Sequence, residues 1–427
     1  MAVDTGTTLT RSHWRRSILA CMADYIDAGG IVAASAGLAL WAKTFGMSAS
    51  LVGLLGAIGV NAGAYAVGSL VGGRLGDLFG RKRIYQWDLL FYIFGGLWIV
   101  FAQSAWNIVV GLVLMGLAVG ADVPTSWALI GEIAPRNRRG MLVGLTSVFW
   151  NLGPIVTLLL SLALAPQGLL GIRIVFAHLV VVAFVTWLLR RRMGESEIWQ
   201  RAASTAKSTA GMLSGSSLRR LGERRNAKWM TFVFVVHMLG SIAAGTFGFF
   251  LPFMLSTLGA HGQAGSVGLQ SLSFLLGAVG VGLLFMPLVD RVNRRALYGI
   301  AGVVQVAALL LIVFLPLTST AVVVTFLVLN ALAGSCGQEQ MYRVWCQELF
   351  PTMIRATAQG LVIAAQKLLL GVWSFYVPQL SSGHFQAFSW VLALATAGSV
   401  LIGVLFMPRP KDNVLEQQEQ AAEPATA

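Results

Sequence analysis

The sequence predicts an all-helical integral membrane protein that crosses the bilayer twelve times. Hydrophobic residues make up 56% of the 427 positions and charged residues only 11%. The mean hydropathy is +0.75, which is far above the range of soluble proteins. A spanning helix needs about 20 apolar residues, and the apolar runs reach that length. They are too long, and alternate too little, to be strands of a membrane β-barrel.

The apolar runs define twelve predicted membrane helices, called spans 1 to 12 below. They cover residues 17–42, 51–72, 87–103, 106–130, 141–165, 171–190, 229–256, 267–289, 297–316, 320–345, 356–380 and 385–407. The first run is longer than the apolar core of a cleavable signal peptide and contains two aspartates, so we interpret it as span 1.

The lysines and arginines predict the orientation of the spans. All of them except Lys43, Arg173 and Lys367 fall before span 1, after span 12, or in or beside the loops that follow even-numbered spans. The positive-inside rule therefore predicts a multi-pass protein of the cell inner membrane with both termini in the cytoplasm. Because the net charge of +13 is spread over short loops, the sequence argues against a nucleic-acid partner.

The longest polar interruption divides the spans six and six. We predict an N-terminal half at 1–190, a cytoplasmic linker at 191–228, a C-terminal half at 229–407 and a disordered tail at 408–427. The tail is rich in Pro, Gln, Glu and Ala, a composition too polar to pack.

An internal repeat supports the two halves. Residues 132–144 share Glu, Pro, Arg and Gly in register with residues 348–360, and residues 77–81 share Asp and Arg with residues 290–294. Duplicated loops at matching places indicate duplicated halves. Six helices in each half give both halves the same orientation, so they are parallel repeats.

The loop between spans 2 and 3 reads Gly73-Arg-Leu-Gly-Asp77-Leu-Phe-Gly80-Arg81-Lys-Arg. An ordinary membrane turn needs basic residues but not this glycine and aspartate spacing. The pattern resembles the signature loop between helices 2 and 3 of the major facilitator superfamily of transporters. The resemblance implies the major facilitator fold, and it covers nearly the whole chain.

The repeated Glu-x-x-Pro-x-x-x-Arg loops are similar to those of the sugar-porter and metabolite:proton symporter branches of that superfamily. Glu195-Ser-x-x-Trp199 resembles a further motif of those branches. The resemblance implies that these loops form an ion-pair network that closes a cytoplasmic gate. The gate residues it implies here are Gly73, Asp77, Gly80, Arg81, Glu132, Arg139, Asp290, Arg294, Glu348 and Arg355.

The sugar-binding residues of those branches do not carry over. Leu112 and Ser147 stand where xylose and glucose carriers have arginine and glutamine, and paired glutamines are missing near His237. The stretches 24–30 and 119–127 instead resemble bacterial permeases of the minor inositol transporter type.

Charged residues inside spans cost roughly 2.5 to 3.5 kcal/mol each on insertion scales and are candidates for function. The carboxylates among them are predicted to couple transport to protons: Asp27, Asp24, Asp122 and Glu339. Asp24 and Asp27 share a helix face, and two neighbouring carboxylates in hydrocarbon do not both ionise easily. Asp27 is the first choice for the proton carrier. The alternatives are a static ion pair or a gate contact.

Polar and aromatic residues at the depth of the bilayer centre are the candidates for binding substrate. They are Trp127, Asn151, His237, Gln338, Gln340, Lys367 and Trp373. Aromatic rings beside amides suit a hydroxylated ring, which stacks on one face and forms hydrogen bonds around its edge. The alternative for each residue is helix packing.

The sequence therefore predicts a monomeric secondary transporter, not an enzyme, that carries a neutral polyol or sugar with protons across the lipid bilayer. It needs no cofactor or metal beyond the proton gradient, and no nucleotide-binding loop of a primary pump is present. One alternative is a symporter for an organic acid, whose carboxylate Lys367 could bind. An alternative of another class is a transporter-like membrane sensor.

Overall fold

The computed structural model describes residues 9–48, 51, 55, 62–209, 216–257, 263–315, 317–409, 413–415 and 417. All regular elements in these residues are helices, and they form twelve membrane segments in chain order. The segments are Arg11–Phe45, Gly63–Phe79, Arg81–Val100, Ala105–Ile133, Arg139–Leu164, Leu169–Arg190, Arg224–Thr257, 263–288, Arg294–Phe314, Thr320–Leu349, Arg355–Gly383 and Phe385–Leu405. They correspond to spans 1 to 12, which form two six-helix halves.

Ten of the helices in the described part are long and apolar enough by themselves to cross a membrane. Span 2 is described only from Gly63, and span 3 begins with the polar turn Arg81-Lys82-Arg83. Large apolar side chains cover the outside of the bundle. Phe91, Phe94, Ile300 and Val303 are each more than half exposed, as side chains that face lipid must be.

The predicted linker contains two helices among its described residues, Glu197–Thr209 and Ser216–Leu221. The predicted disordered tail lies largely outside the described residues. The domain boundaries at 190, 228 and 407 stay predictions.

Span 10 is broken, although its apolar pattern predicted one continuous helix. The helix Thr320–Gly334 ends at a short turn, and a second helix, Gln338–Leu349, begins after Gly337. The break places Gln338 and Glu339 in the first turn of a new helix, where backbone N–H groups are free of helical partners. Broken membrane helices are common where transporters bind their cargo.

The two halves contact each other along spans 2 and 11 and along spans 5 and 8. Glycines allow the first of these contacts to be very close. A Cβ atom at Gly73 would lie 2.3 Å from the carbonyl oxygen of Ala356, and one at Gly360 would lie 2.1 Å from that of Ser69. Gly80 is required for a different reason, because its φ of 100° is a conformation that L side chains rarely adopt.

We expect Gly73→Ala to push spans 2 and 11 apart, because its methyl group would overlap the backbone of Ala356. Overpacking of this kind costs about 1–3 kcal/mol of unfolding free energy. Thermal melts in detergent measure the effect. Gly268→Ala is the matched control, since a Cβ there meets nothing within 4 Å. Equal melting temperatures for the two variants would contradict the close contact.

Candidate functional site

A cavity of about 1570 Å³ lies between the two halves. Its wall includes Leu38, Gly168 and Pro378, which lie at or near the ends of spans 1, 5 and 11. The loops after even-numbered spans lie at the other end of the bundle, which we call the basic face. The cavity therefore extends toward the face opposite the basic face.

At the basic face, the signature loop at residues 73–83 forms hydrogen bonds directly with the second half. The carboxylate of Asp77 is fully buried and accepts hydrogen bonds from the backbone N–H groups of Ala356, at 3.2 Å, and Thr357, at 2.7 Å. The Thr357 hydroxyl donates a third bond at 2.6 Å. These N–H groups belong to the first turn of span 11, where they have no helical partner. Asp77 thus caps a helix of the opposite half.

The repeated loop in the second half makes the same contact in the other direction. Asp290 accepts hydrogen bonds from the backbone N–H groups of Gly140, at 3.1 Å, and Met141, at 2.8 Å, in the first turn of span 5. Arg294 donates to both oxygens of Glu348, at 2.9 and 2.8 Å, and bonds Asp290 at 3.2 Å. The two repeated loops therefore make the same contact: in each, an aspartate caps the first turn of a helix in the opposite half.

A buried ion network surrounds the first of these caps. Arg81 donates to Glu132 at 2.8 Å and to the carbonyl oxygen of Thr352 at 2.8 Å, and it pairs with Asp77 at 3.1 Å. Arg355 of the second half donates to the same oxygen of Glu132 at 2.9 Å. Three of the predicted gate residues of the first half therefore bind the second half. Arg139 donates to the carbonyl oxygen of Gly131 within its own half, at 3.1 Å.

The segment before the linker helix also contacts the signature loop. Trp199 donates its indole N–H to the carbonyl oxygen of Asp77 at 2.9 Å, and Glu195 accepts a hydrogen bond from the backbone N–H of Lys82 at 3.1 Å. A Cβ at Gly80 would lie 2.2 Å from Glu195. Glycine is therefore needed at this position both for the positive φ of the turn and for the close approach of Glu195.

A second layer of cross-half contacts lies between this network and the cavity. Arg343 of span 10 donates to Asp24 of span 1 at 2.9 Å and to the Thr146 hydroxyl at 2.6 Å. The indole N–H of Trp127 donates to Asp24 at 3.0 Å, and the guanidinium lies 4.1 Å from the centre of the Trp127 ring. Arg343 also bonds Glu339 at 3.2 Å. Asp24 is therefore the buried end of an ion pair that joins the halves.

Asp27 lies on the cavity wall in a looser environment. Its hydrogen bond from the Tyr65 hydroxyl is long, at 3.4 Å. Lys367 of span 11 interacts electrostatically with Asp27 and, more weakly, with Glu339, and its ammonium lies 4.3 Å from the centre of the Tyr65 ring. Of these two carboxylates, Asp27 of the opposite half has the larger electrostatic effect on Lys367.

Of the four predicted coupling carboxylates, Asp27 and Glu339 line the cavity, whereas Asp122 is bonded elsewhere. Asp122 accepts two hydrogen bonds from Arg190, at 3.0 and 2.8 Å, and a short one from Ser126. Arg190 belongs to span 6 and also donates to the carbonyl oxygens of Leu19 and Ala20. Asp122 thus joins spans 1, 4 and 6 inside the first half. It lies on the side of span 4 away from the cavity.

The predicted substrate residues all line the cavity. His237 stacks on Tyr342 with ring centres 3.8 Å apart and forms a hydrogen bond with Gln338 at 3.0 Å. The other candidates on the wall are Trp127, Asn151, Gln340, Lys367 and Trp373. The cavity therefore presents amides and aromatic rings beside two cations and two carboxylates.

Sequence reasoning missed several residues that the structure places at these sites. Tyr65, Ser241 and Gln270 line the cavity, but single hydroxyls and amides carry little signal in apolar helices. Arg190 was grouped with the basic residues beside the loops, because it is the last residue of span 6. Among the described residues, no three His, Cys, Asp or Glu side chains are grouped to hold a metal ion.

Comparisons with known proteins agree with this geometry. A sequence model of the Major Facilitator Superfamily matches residues 18–374 and, in a second match, 233–427. The minor myo-inositol transporter IolF of Bacillus subtilis (strain 168) is 36% identical over 410 residues, which cover 95% of this chain and 93% of that protein. The alpha-ketoglutarate permease of Escherichia coli (strain K12) is 24% identical over 367 residues, or 81% of each chain.

Among solved structures, the proton:xylose symporter XylE bound to 6-bromo-6-deoxy-D-glucose superposes with a TM-score of 0.80 at 17% identity. The match covers 96% of this chain and 98% of that one. At this identity, the likeness establishes the shared fold.

We expect Asp77→Asn to slow transport while leaving substrate affinity within about threefold, since Asp77 is not among the residues that line the cavity. Each charge-assisted bond it makes is worth about 1.5–3 kcal/mol. Its loss weakens closure of the basic face, and initial uptake rates should fall about tenfold. Glu197→Gln is the control, because Glu197 lies in an exposed pair with Arg201 at 3.7 Å. A folded Asp77→Asn protein that binds no substrate would contradict this gate role.

Proposed function

Because the chain belongs to the major facilitator superfamily, we propose that this secondary transporter carries a neutral polyol of the inositol class, or a related sugar, together with protons. The observation that carries the proposal is the similarity to the inositol transporter IolF over almost the whole chain. Two further features support it: the chemistry of the cavity wall and the pairing of its charges.

The charges around the cavity favour a neutral cargo. Arg343 is neutralised by Asp24 and Glu339, and Lys367 interacts with Asp27. An anion would have to displace one of these carboxylates and leave it uncompensated in a medium of low dielectric constant. A neutral ring needs only hydrogen bonds and stacking, which Gln338, Gln340 and Trp373 can supply.

Asp27 is the proposed proton carrier. It lies on the cavity wall, where protons have access, and it faces the cation Lys367 of the opposite half. Protonation removes the negative charge and with it the attraction between the halves at this point. Asp24 is the weaker candidate, because Arg343 and Trp127 already hold its carboxylate. Glu339, held by Arg343 on the cavity wall, is the second choice.

The basic face is proposed to face the cytoplasm, as its arginines and lysines suggest. The structure then corresponds to a carrier that is open to the outside and closed inside. We propose that a single chain in the cell inner membrane carries out transport, since each chain encloses its own cavity.

Uptake into proteoliposomes tests the proposal directly. Labelled myo-inositol, xylose and alpha-ketoglutarate are offered with an inward proton gradient, with and without a protonophore. We expect accumulation of the polyol that collapses with the protonophore. Accumulation of the dicarboxylate alone would favour the organic-acid alternative and contradict the proposal.

We expect Asp27→Asn to abolish accumulation driven by a proton gradient. The amide mimics the protonated carboxyl but cannot release a proton, so the carrier should still exchange substrate between preloaded vesicles. Counterflow and gradient-driven uptake, measured on the same preparation, separate the two activities. If the variant still concentrates substrate in response to a pH gradient, Glu339 becomes the leading candidate for the carrier.

Lys367→Gln distinguishes the two cargo classes by stability. In a polyol carrier, the change leaves the charge of Asp27 unanswered, and losing one partner of a buried pair costs about 3–5 kcal/mol. The double variant Lys367→Gln/Asp27→Asn should recover most of the loss. In a carrier of acids, stability should hold while acid affinity falls by about 1.5–3 kcal/mol. Melting curves and binding assays measure both, with the exposed Lys43→Gln as control.

A further inference from the structure

A second buried acidic residue lies beside Asp122, away from the transport cavity. Asp88 of span 3 is 5% exposed. One of its carboxylate oxygens, Oδ1, accepts a hydrogen bond from the backbone N–H of Leu89 at 2.5 Å. The other, Oδ2, is buried and has no hydrogen-bond partner among the described residues. A buried carboxylate oxygen without a donor is costly, because ionisation there is uncompensated.

The nearby cation does not compensate Asp88. Arg190 directs Nη1 at both oxygens of Asp122, Nε at the carbonyl oxygen of Leu19, and Nη2 at the carbonyl oxygen of Ala20 and the Ser126 hydroxyl. A guanidinium has five N–H donors, and these five contacts use all of them. Two carboxylates therefore share the charge of one arginine, and an excess of one negative charge remains.

The space at this point is small and mostly apolar. Asp88 and Asp122 line a cavity of about 10 Å³ together with Ala23, Ile26, Leu89, Tyr92, Ala118 and Val119. Such a volume holds about one water molecule. A bound metal cation would need six or more oxygen ligands or several waters, which these alanine, valine, leucine and isoleucine side chains do not offer.

We propose that Asp88 and Asp122 form a proton-binding site in which Asp88 is the protonated carboxyl. One proton cancels the excess charge and turns the unpartnered oxygen into a hydroxyl, which can donate a hydrogen bond within the cavity. The site is separate from the proposed coupling site. It lies behind span 1, where Ala23 and Ile26 form its wall, whereas Asp27 faces the central cavity.

The titratable groups around the site come from three spans. Asp122 of span 4 and Arg190 of span 6 are the charged groups that act on Asp88. Span 3 itself adds Tyr92, whose hydroxyl donates to the carbonyl oxygen of Ile26 at 3.2 Å, and Tyr85, whose ring lies 5.3 Å from the Arg190 guanidinium. A second cation, Arg16, acts on Tyr85, but the charges that act on Asp88 are those of Asp122 and Arg190, so the excess negative charge remains.

Infrared spectroscopy of the full chain in lipid nanodiscs detects the proton directly. At neutral pH we expect a C=O stretching band of a protonated carboxyl that Asp88→Asn removes and Asp27→Asn leaves in place. The result would stand whether or not the chain carries a polyol. If every protonated-carboxyl band survives in Asp88→Asn, Asp88 is ionised and the proposal is overturned.

Thermal stability provides the second readout. A carboxyl that is protonated in the folded protein and ionised in the unfolded chain binds an extra proton on folding, so stability falls as pH rises. Asp88→Asn binds no proton at any pH, so it should raise the melting temperature at neutral pH and remove this fall above about pH 4, where the carboxyl of the unfolded chain ionises. Asp122→Asn should lower the melting temperature, because Arg190 loses its partner.

Two outcomes would contradict the proton site. One is a loss of stability in Asp88→Asn equal to that in Asp122→Asn, which would make Asp88 a counter-ion of Arg190. The other is a rise in melting temperature with sodium chloride, absent with choline chloride and abolished by Asp88→Asn, which would identify a sodium site.

Discussion

In hydrocarbon, each charged side chain needs a partner, and this chain finds several of those partners across the boundary between its halves. Arg343 reaches Asp24 at 2.9 Å, and Arg355 reaches Glu132 at 2.9 Å. Pairs of this kind contribute little net stability compared with apolar packing, but breaking one leaves an uncompensated charge. The halves are therefore held in definite arrangements, with few states between them. A carrier that exposes its cavity to one side at a time needs this property.

The contacts at the basic face use backbone groups as well as charges. Asp77 and Asp290 each cap the first turn of a helix in the opposite half. The N–H groups at a helix start have no internal partner and carry a partial positive charge. When such a cap opens at the membrane surface, water can replace the carboxylate at modest cost. The pair of Arg343 with Asp24 is buried, so opening it costs more, and a change of charge such as protonation in the cavity can offset that cost.

The fold could be predicted from the sequence, and so could which loop residues contact each other at the basic face, for a physical reason. Local geometry requires glycine at Gly80, which has a positive φ, and a capping residue at Asp77. Their spacing can therefore be recognised in the sequence. The cavity-lining residues were also predictable, because polar groups are conspicuous in apolar helices. The break in span 10 was not predicted, since glycines such as Gly334 and Gly337 are also frequent within unbroken membrane helices.

The partners of the buried charges could not be predicted from spacing. Asp122 was predicted to act with Glu339 as a coupling carboxylate, but it bonds Arg190 inside the first half, because of the rotation of span 4 about its own axis. Asp88 was overlooked because it stands next to the polar start of span 3, where a charge costs less. Asp27 is the stronger electrostatic partner of Lys367, since Arg343 and His237 already hold Glu339.

We infer that the paired caps at the basic face keep the cavity accessible only from the opposite face. Spin labels at the exposed positions Asn137 and Arg295 on the basic face, and at Ser104 and Thr318 on the opposite face, report both separations by pulsed electron resonance. Removing both caps with Asp77→Asn and Asp290→Asn should lengthen the first distance and shorten the second in the same population of molecules. Distances that remain those of the parent protein in both pairs would contradict the account.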